Sequence, residues 1–193
     1  MICYEFKGGT GTASRILPVA ALAGRGSSVQ PPNNYTVGVL VQANCGRRPQ
    51  LTIRGLPIGK EIPGSVYNQQ ETGSIIIVVA TDAPLLPHQL KRLARRAALG
   101  LARTGSVSGN GSGDLFIAFS TANPHAAESS PPTRTIESMT NDLMDPLFTA
   151  TVEATEEAII NALVDNHDMT GRDDHKVEAL PHDRLRQLFR HHQ

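Results

Sequence analysis

The stretch TGSIIIVVATDAPLLPHQLKRLARRAALGLARTG, residues 72–105, runs from a polar loop into the most apolar segment of the chain and then into a helical pattern. SIIIVVAT (74–81) is continuously rather than alternately apolar, which reads as a strand with both faces covered. Asp82, Ala83 and Pro84 follow as a helix-start signal, a carboxylate cap with a proline in the opening turn. Leu86, Leu90, Leu93, Ala94, Ala97 and Leu101 fall on one face of that helix. Lys91, Arg92, Arg95 and Arg96 fall elsewhere and read as a solvated face.

Working outward, ICYEF (2–6), TVGVLVQAN (36–44) and DLFIAFST (114–121) read as further buried strands. A second long helical pattern covers about residues 145–166, with Phe148, Val152, Ile159 and Leu163 on one side and Glu153, Glu156 and Glu157 exposed. A short last helix follows Pro181, using Leu185, Leu188 and Phe189. Residues 24–35, 54–73 and 122–134, rich in Gly, Pro, Ser or Asn, read as loops. Strands covered on both faces and interleaved with amphipathic helices place the chain in the α/β class, with helices over a sheet or two sheets stacked. With 4% aromatic residues and no Trp in 193 residues, the core must be built from Val, Ile, Leu and Ala.

Composition excludes several function classes. Eighteen basic and eighteen acidic residues cancel, so there is no electrostatic footprint for nucleic acid or an anionic membrane. The longest apolar run, IIIVVA (75–80), is too short to span a bilayer, and the opening MICYEFKGG has no signal-peptide core. Cys3 and Cys45 are too few for a disulfide framework or a Cys-based zinc site and read as buried thiols. The seven histidines include no HExxH pair, so no metal is expected. KGGTGTASR (7–15) resembles a phosphate-cradling loop but lacks the Lys-Ser/Thr ending and the downstream acidic residue of the nucleotide-binding patterns. It reads as a glycine-rich turn packed against an active site, and no cofactor is expected.

Three segments have the residue types for acyl-transfer chemistry. Ser74 stands at the mouth of a buried strand after Gly73, a glycine that permits strained backbone angles and close approach of a nucleophile to its carbonyl. Ser112 and Asp114 precede another strand at a spacing of two, so their side chains share one side and suit proton handling. Asn44, closing a strand, can donate a hydrogen bond to an oxyanion. Taken singly, each segment reads more simply as turn chemistry.

Together, EFKGGTGTASR, TVGVLVQANCGRR, TGSIIIVVATDAPLLPHQLKRLARRAALGLARTG, SGDLFIAFSTAN and MTGRDDHKVEALPHDRL closely resemble the DmpA-type peptidase family, the L-aminopeptidase/D-esterase and β-aminopeptidase group. The resemblance runs from about residue 6 to residue 185 with the motifs in family order. It implies a layered α/β/β/α sandwich, related to N-terminal-nucleophile hydrolases, and a precursor that cuts itself before a serine. By this resemblance the cut matches Gly73-Ser74, Ser74 matches the nucleophile, Ser112 and Asp114 match the other catalytic positions, and Asn44 matches the oxyanion-hole asparagine. Residues 1–73 then end the first segment of the precursor, with a linker at about 54–73, and residues 74–193 form the second. Homo-oligomers and substrates with a free amino terminus, whether peptides, amides or esters, are also implied.

Family precursors carry a long segment ahead of the part that matches here, which supplies an oxyanion-hole tyrosine and much of the amino-group pocket. The sandwich is therefore expected to be incomplete in this chain, with the missing half as its first partner. The expected compartment is the cytoplasm, or the periplasm where a signal peptide precedes that half. Two other classes are compatible with the sequence. One is an inert fragment or assembly subunit; the other is an ornithine acetyltransferase-like acyltransferase, whose usual threonine nucleophile speaks against Ser74.

Overall fold

Three of the apolar runs form three adjacent strands of one mixed sheet in the computed structural model, which describes residues 1–18, 34–64 and 73–191. In chain order the strands are β1 (Ile2–Cys3), β2 (Phe6–Lys7), β3 (Thr10–Leu17), β4 (Tyr35–Gln42), β5 (Ile76–Thr81), β6 (Leu115–Ser120), β7 (Met169–Thr170) and β8 (Lys176–Val177). The α-helices are α1 (Ile58–Glu61), α2 (Pro87–Arg103), α3 (Met144–Val164) and α4 (His182–His191). The main sheet has the order β3-β4-β5-β6, with β1-β2 and β7-β8 as separate two-stranded pairs. β3 pairs antiparallel with β4 and β4 with β5, whereas β5 and β6 run parallel. The α2 crossover between β5 and β6 makes that parallel pairing possible, since a tight hairpin joins only antiparallel neighbours.

Both long helices lie on one face of the sheet, α3 over β3 and β4 and α2 over β5 and β6, and they pack on each other. Val37, Val39, Val41, Ile77 and Val79 point into this layer and are buried. α3 meets the sheet through Ala150, Ala154, Ala158 and Ala162, all buried. Small side chains let it approach so closely that a Cβ on Gly11 of β3 would lie 2.0 Å from the Ala158 carbonyl oxygen. Gly100 does the same between the helices, where a Cβ would lie 2.6 Å from the Val152 carbonyl oxygen.

The opposite face of the sheet carries Ile16, Leu40, Ile76, Leu115, Ile117 and Phe119, all exposed. The expectation that every strand is covered on both faces therefore fails for the described residues: the main sheet has one helical layer, on one face. The apolar runs are continuous because the second face is apolar as well; among the described residues its large side chains stay exposed.

Several local expectations are corrected. KGGTGTASR is mostly the edge strand β3, not a turn, and its glycines serve close packing. ICYEF is a hairpin, not one strand: Tyr4 and Glu5 take φ of 49° and 61° between β1 and β2. Asp82 does not cap a helix; its carboxylate accepts the Thr36 N–H at 2.7 Å, and α2 begins at Pro87. Arg92 and Arg96 are not simply solvated, since their guanidinium groups lie 5.1 and 3.9 Å from the Phe148 ring centroid. The span 54–64 is packed rather than a free loop, with α1 and buried Ile58 and Ile62. The glycine-rich segment 24–33 and residues 65–72 lie outside the described residues. Cys3 and Cys45 are buried and not disulfide-bonded.

Candidate active site

The parallel register sets Ile76 opposite Leu115. The residues just before each strand, Ser74 and Asp114, therefore leave the sheet side by side. Gln42 of antiparallel β4 also lies opposite Ile76, so Asn44, two residues beyond it, emerges at the same end. Ser74, Asn44, Gly113 and Leu115 line one cleft there, with Met1, Gln42 and Ile76.

Ser74 Oγ accepts a hydrogen bond from the Gly113 N–H at 2.8 Å. Ser112 Oγ donates to Asp114 Oδ1 at 2.5 Å, a short bond of the charge-assisted kind. The same Oδ1 accepts the Ile75 N–H at 3.0 Å, so one carboxylate ties the strand that follows Ser74 to the loop that carries Ser112. The other oxygen, Oδ2, accepts from Ser108 Oγ at 2.7 Å. Asn44 Oδ1 accepts the Ile2 N–H at 2.9 Å, which occupies the acceptor end of the amide and leaves its NH₂ group as the donor end.

Gly73 has no side chain for a steric reason. A Cβ there would lie 2.1 Å from the Asn44 carbonyl oxygen and 3.3 Å from Cys45 Cα. Gly73 thus provides the close approach expected of it.

The four residues singled out from sequence thus meet at one end of the sheet. Sequence reasoning missed Gly113, whose N–H reaches Ser74, and Ser108, the third donor to Asp114. A glycine between Ser112 and Asp114 was the available signal for the first. Ser108 offers none, being one more serine in a glycine-rich loop. Among the described residues no three His, Cys, Asp or Glu side chains converge as a metal site requires, and no helix is long and apolar enough to cross a membrane.

The sequence matches peptidase family S58 over residues 1–177. It is 43% identical over 205 residues to the beta-peptidyl aminopeptidase BapA of Sphingosinicella microcystinivorans, covering 98% of this chain and 49% of that protein. BapA of Sphingosinicella xenopeptidilytica is also 43% identical, with 98% and 48% covered. The solved L-aminopeptidase D-Ala-esterase/amidase of Ochrobactrum anthropi, described as a prototype serine aminopeptidase and a variant of the Ntn hydrolase fold, superposes with a TM-score of 0.85 at 44% identity. That match covers 100% of this chain and 50% of the other. A Burkholderia sp. beta-aminopeptidase superposes with a TM-score of 0.80 at 45% identity, over 99% and 51% of the two chains. The chain spans about half the length of each of these relatives.

Proposed function

Because the chain belongs to peptidase family S58, we propose that it is the nucleophile-bearing part of a self-processing serine aminopeptidase that cuts itself between Gly73 and Ser74. The observation that carries this reading is the convergence of Ser74 Oγ, the Gly113 N–H and the Ser112–Asp114 pair at one strand end, beside a Gly73 packed on Asn44.

In the proposed reaction Ser74 Oγ adds to the Gly73 carbonyl carbon. The C–N bond to Ser74 breaks, the hydroxyl proton passes to the departing nitrogen, and an ester remains. Water hydrolyses the ester, giving a Gly73 carboxylate, a free Ser74 hydroxyl and a new α-amino group. With an ordinary pKa of about 7.7 to 8.0, such an amine suits a base near neutral pH. It takes the Ser74 proton when a substrate carbonyl is attacked, while Ser112 and Asp114 hold the proton path and the Asn44 amide faces the oxyanion. An acyl-enzyme on Ser74 then yields to water.

The substrates proposed are peptides, amides or esters with a free amino terminus, in keeping with relatives named as beta-peptidyl aminopeptidase and L-aminopeptidase D-Ala-esterase/amidase. The partner proposed for the exposed apolar sheet face is a second sheet, contributed by the part of the relatives' length that this chain does not span. Homo-oligomeric assembly and a cytoplasmic site are proposed on family resemblance alone.

The test uses the full-length precursor. Mass spectrometry should find a chain beginning at Ser74, and Ser74→Ala should leave the precursor whole. The processed enzyme should hydrolyse an aminoacyl anilide and spare its amino-acetylated form. Cleavage persisting in Ser74→Ala, or equal turnover of both anilides, overturns the reading.

A further inference from the structure

Asp114 accepts three hydrogen bonds, and its two oxygens are held differently. Oδ1 takes Ser112 Oγ and the Ile75 N–H, while Oδ2 takes Ser108 Oγ at 2.7 Å. Ser108 has φ 47°, in the left-handed region that serine seldom occupies. Its own N–H donates to Ser106 Oγ at 3.2 Å, and Ser106 is buried. The turn is thus anchored from below with its hydroxyl on the carboxylate.

We propose that Ser108 is a positioning residue for the chemistry at Ser74, acting through Asp114. The inference rests on the roles given above to Ser74 and Asp114. A carboxylate held through one oxygen can rotate about its Cβ–Cγ bond. Binding Oδ2 from a separate turn stops that rotation and keeps Oδ1 aimed at Ser112. A residue that only shaped the turn would be served better by glycine, which adopts φ > 0 without strain.

That contrast defines the experiment, made in the full-length precursor. Ser108→Gly removes the hydroxyl and relaxes the backbone; Ser108→Asn restores a donor on a residue that tolerates the left-handed region. A positioning role requires kcat on an aminoacyl anilide to fall about tenfold or more in Ser108→Gly, with KM little changed, as for a small misplacement of a reacting group. Ser108→Asn should recover most of the loss. A parent kcat in processed Ser108→Gly, or a loss that Ser108→Asn does not recover, overturns the proposal. If Ser108→Gly fails to process, Ser108→Asn decides: restored processing supports the proposal, and continued failure overturns it. Ser74→Ala runs alongside. If Ser74→Ala still processes and turns over, the underlying reading of the site has failed, whatever Ser108 does.

Discussion

Ile76 of β5 and Leu115 of β6 are partners in a parallel ladder, and this pairing brings two loops far apart in sequence to one place. Ser74 stands two residues before the first partner and Asp114 one residue before the second. In antiparallel strands those loops would leave from opposite ends of the sheet. The bond from the Ile75 N–H to Asp114 Oδ1 extends the ladder by a side chain, so the alignment of the two loops is set by hydrogen bonds and not by packing alone.

Gly73→Ala separates close approach from nucleophilicity, since Ser74 keeps its hydroxyl. The new Cβ would sit 2.1 Å from the Asn44 carbonyl oxygen, a backbone atom that cannot move without shifting the strand end. If the chain is cut at Gly73-Ser74 as proposed, displacing the Gly73 carbonyl by about 1 Å should slow self-cleavage on the order of a hundredfold. The rate at which the precursor band disappears on a denaturing gel measures this. Cleavage at the parent rate would show that the Gly73–Asn44 contact does not position the bond.

Asp114 makes a structural contact besides the chemical role proposed for it, which changes what its substitutions mean. From sequence, Asp114→Asn and Ser112→Ala are expected to lower turnover about a hundredfold with the fold intact. The Ile75 N–H, on a fully buried residue, adds a second requirement. Asp114→Asn retains an oxygen for that donor, so its melting temperature should stay near the parent value while turnover drops. Asp114→Ala leaves the N–H unpaired and should also lose about 1 to 3 kcal/mol of stability. Equal melting temperatures for the two variants would mean that the Ile75 bond contributes little.

The legible parts of the fold are those where residue type and environment agree. β4, β5 and β6 lie within two residues of their apolar runs because those runs are Val, Ile, Leu and Phe. β3 was not legible: its inner face is made of Gly11 and Ala13 so that α3 can approach, which removes the apolar signature of a strand. The Tyr4-Glu5 hairpin was hidden for the opposite reason, since neither residue favours φ > 0. It is held instead by Arg48, whose buried guanidinium donates to the Tyr4, Glu5 and Ile62 carbonyls. At the site, the residue types of Ser74, Ser112, Asp114 and Asn44 carried the family resemblance. Their meeting depends on strand direction, which no short segment encodes.

Gly11→Ala tests the account of KGGTGTASR as a packing strand. A methyl group there would meet the Ala158 carbonyl oxygen at 2.0 Å and the Ala162 nitrogen at 2.6 Å, so α3 must lift from the sheet. The expected destabilisation is about 1 to 3 kcal/mol, typical of overpacking. The melting temperature should fall accordingly. Differential scanning calorimetry of the processed enzyme reads it. An unchanged melting temperature would mean that the helix does not need this contact.

Ile117 and Phe119 test whether the bare face of the sheet is an interface. They are each 46% exposed and stand with Leu115, Ile76, Leu40 and Ile16 on the side away from the helices. An exposed apolar face such as that of Leu40, Ile76, Leu115, Ile117 and Phe119 is unusual on a protein surface that meets only water. Ile117→Thr with Phe119→Thr keeps residues suited to strands but removes most of the apolar surface. In the isolated chain the pair should reduce aggregation, read by light scattering, because it removes the surface through which copies associate. In the full-length precursor the same pair should be harmful. If a second sheet buries these side chains, losing them costs about 1.5 to 3 kcal/mol each, and both the melting temperature and the yield of processed enzyme should fall. A face that stays in water predicts changes within about 0.5 kcal/mol. Improved solubility of the isolated chain together with an undiminished melting temperature of the precursor would therefore exclude a second sheet on this face.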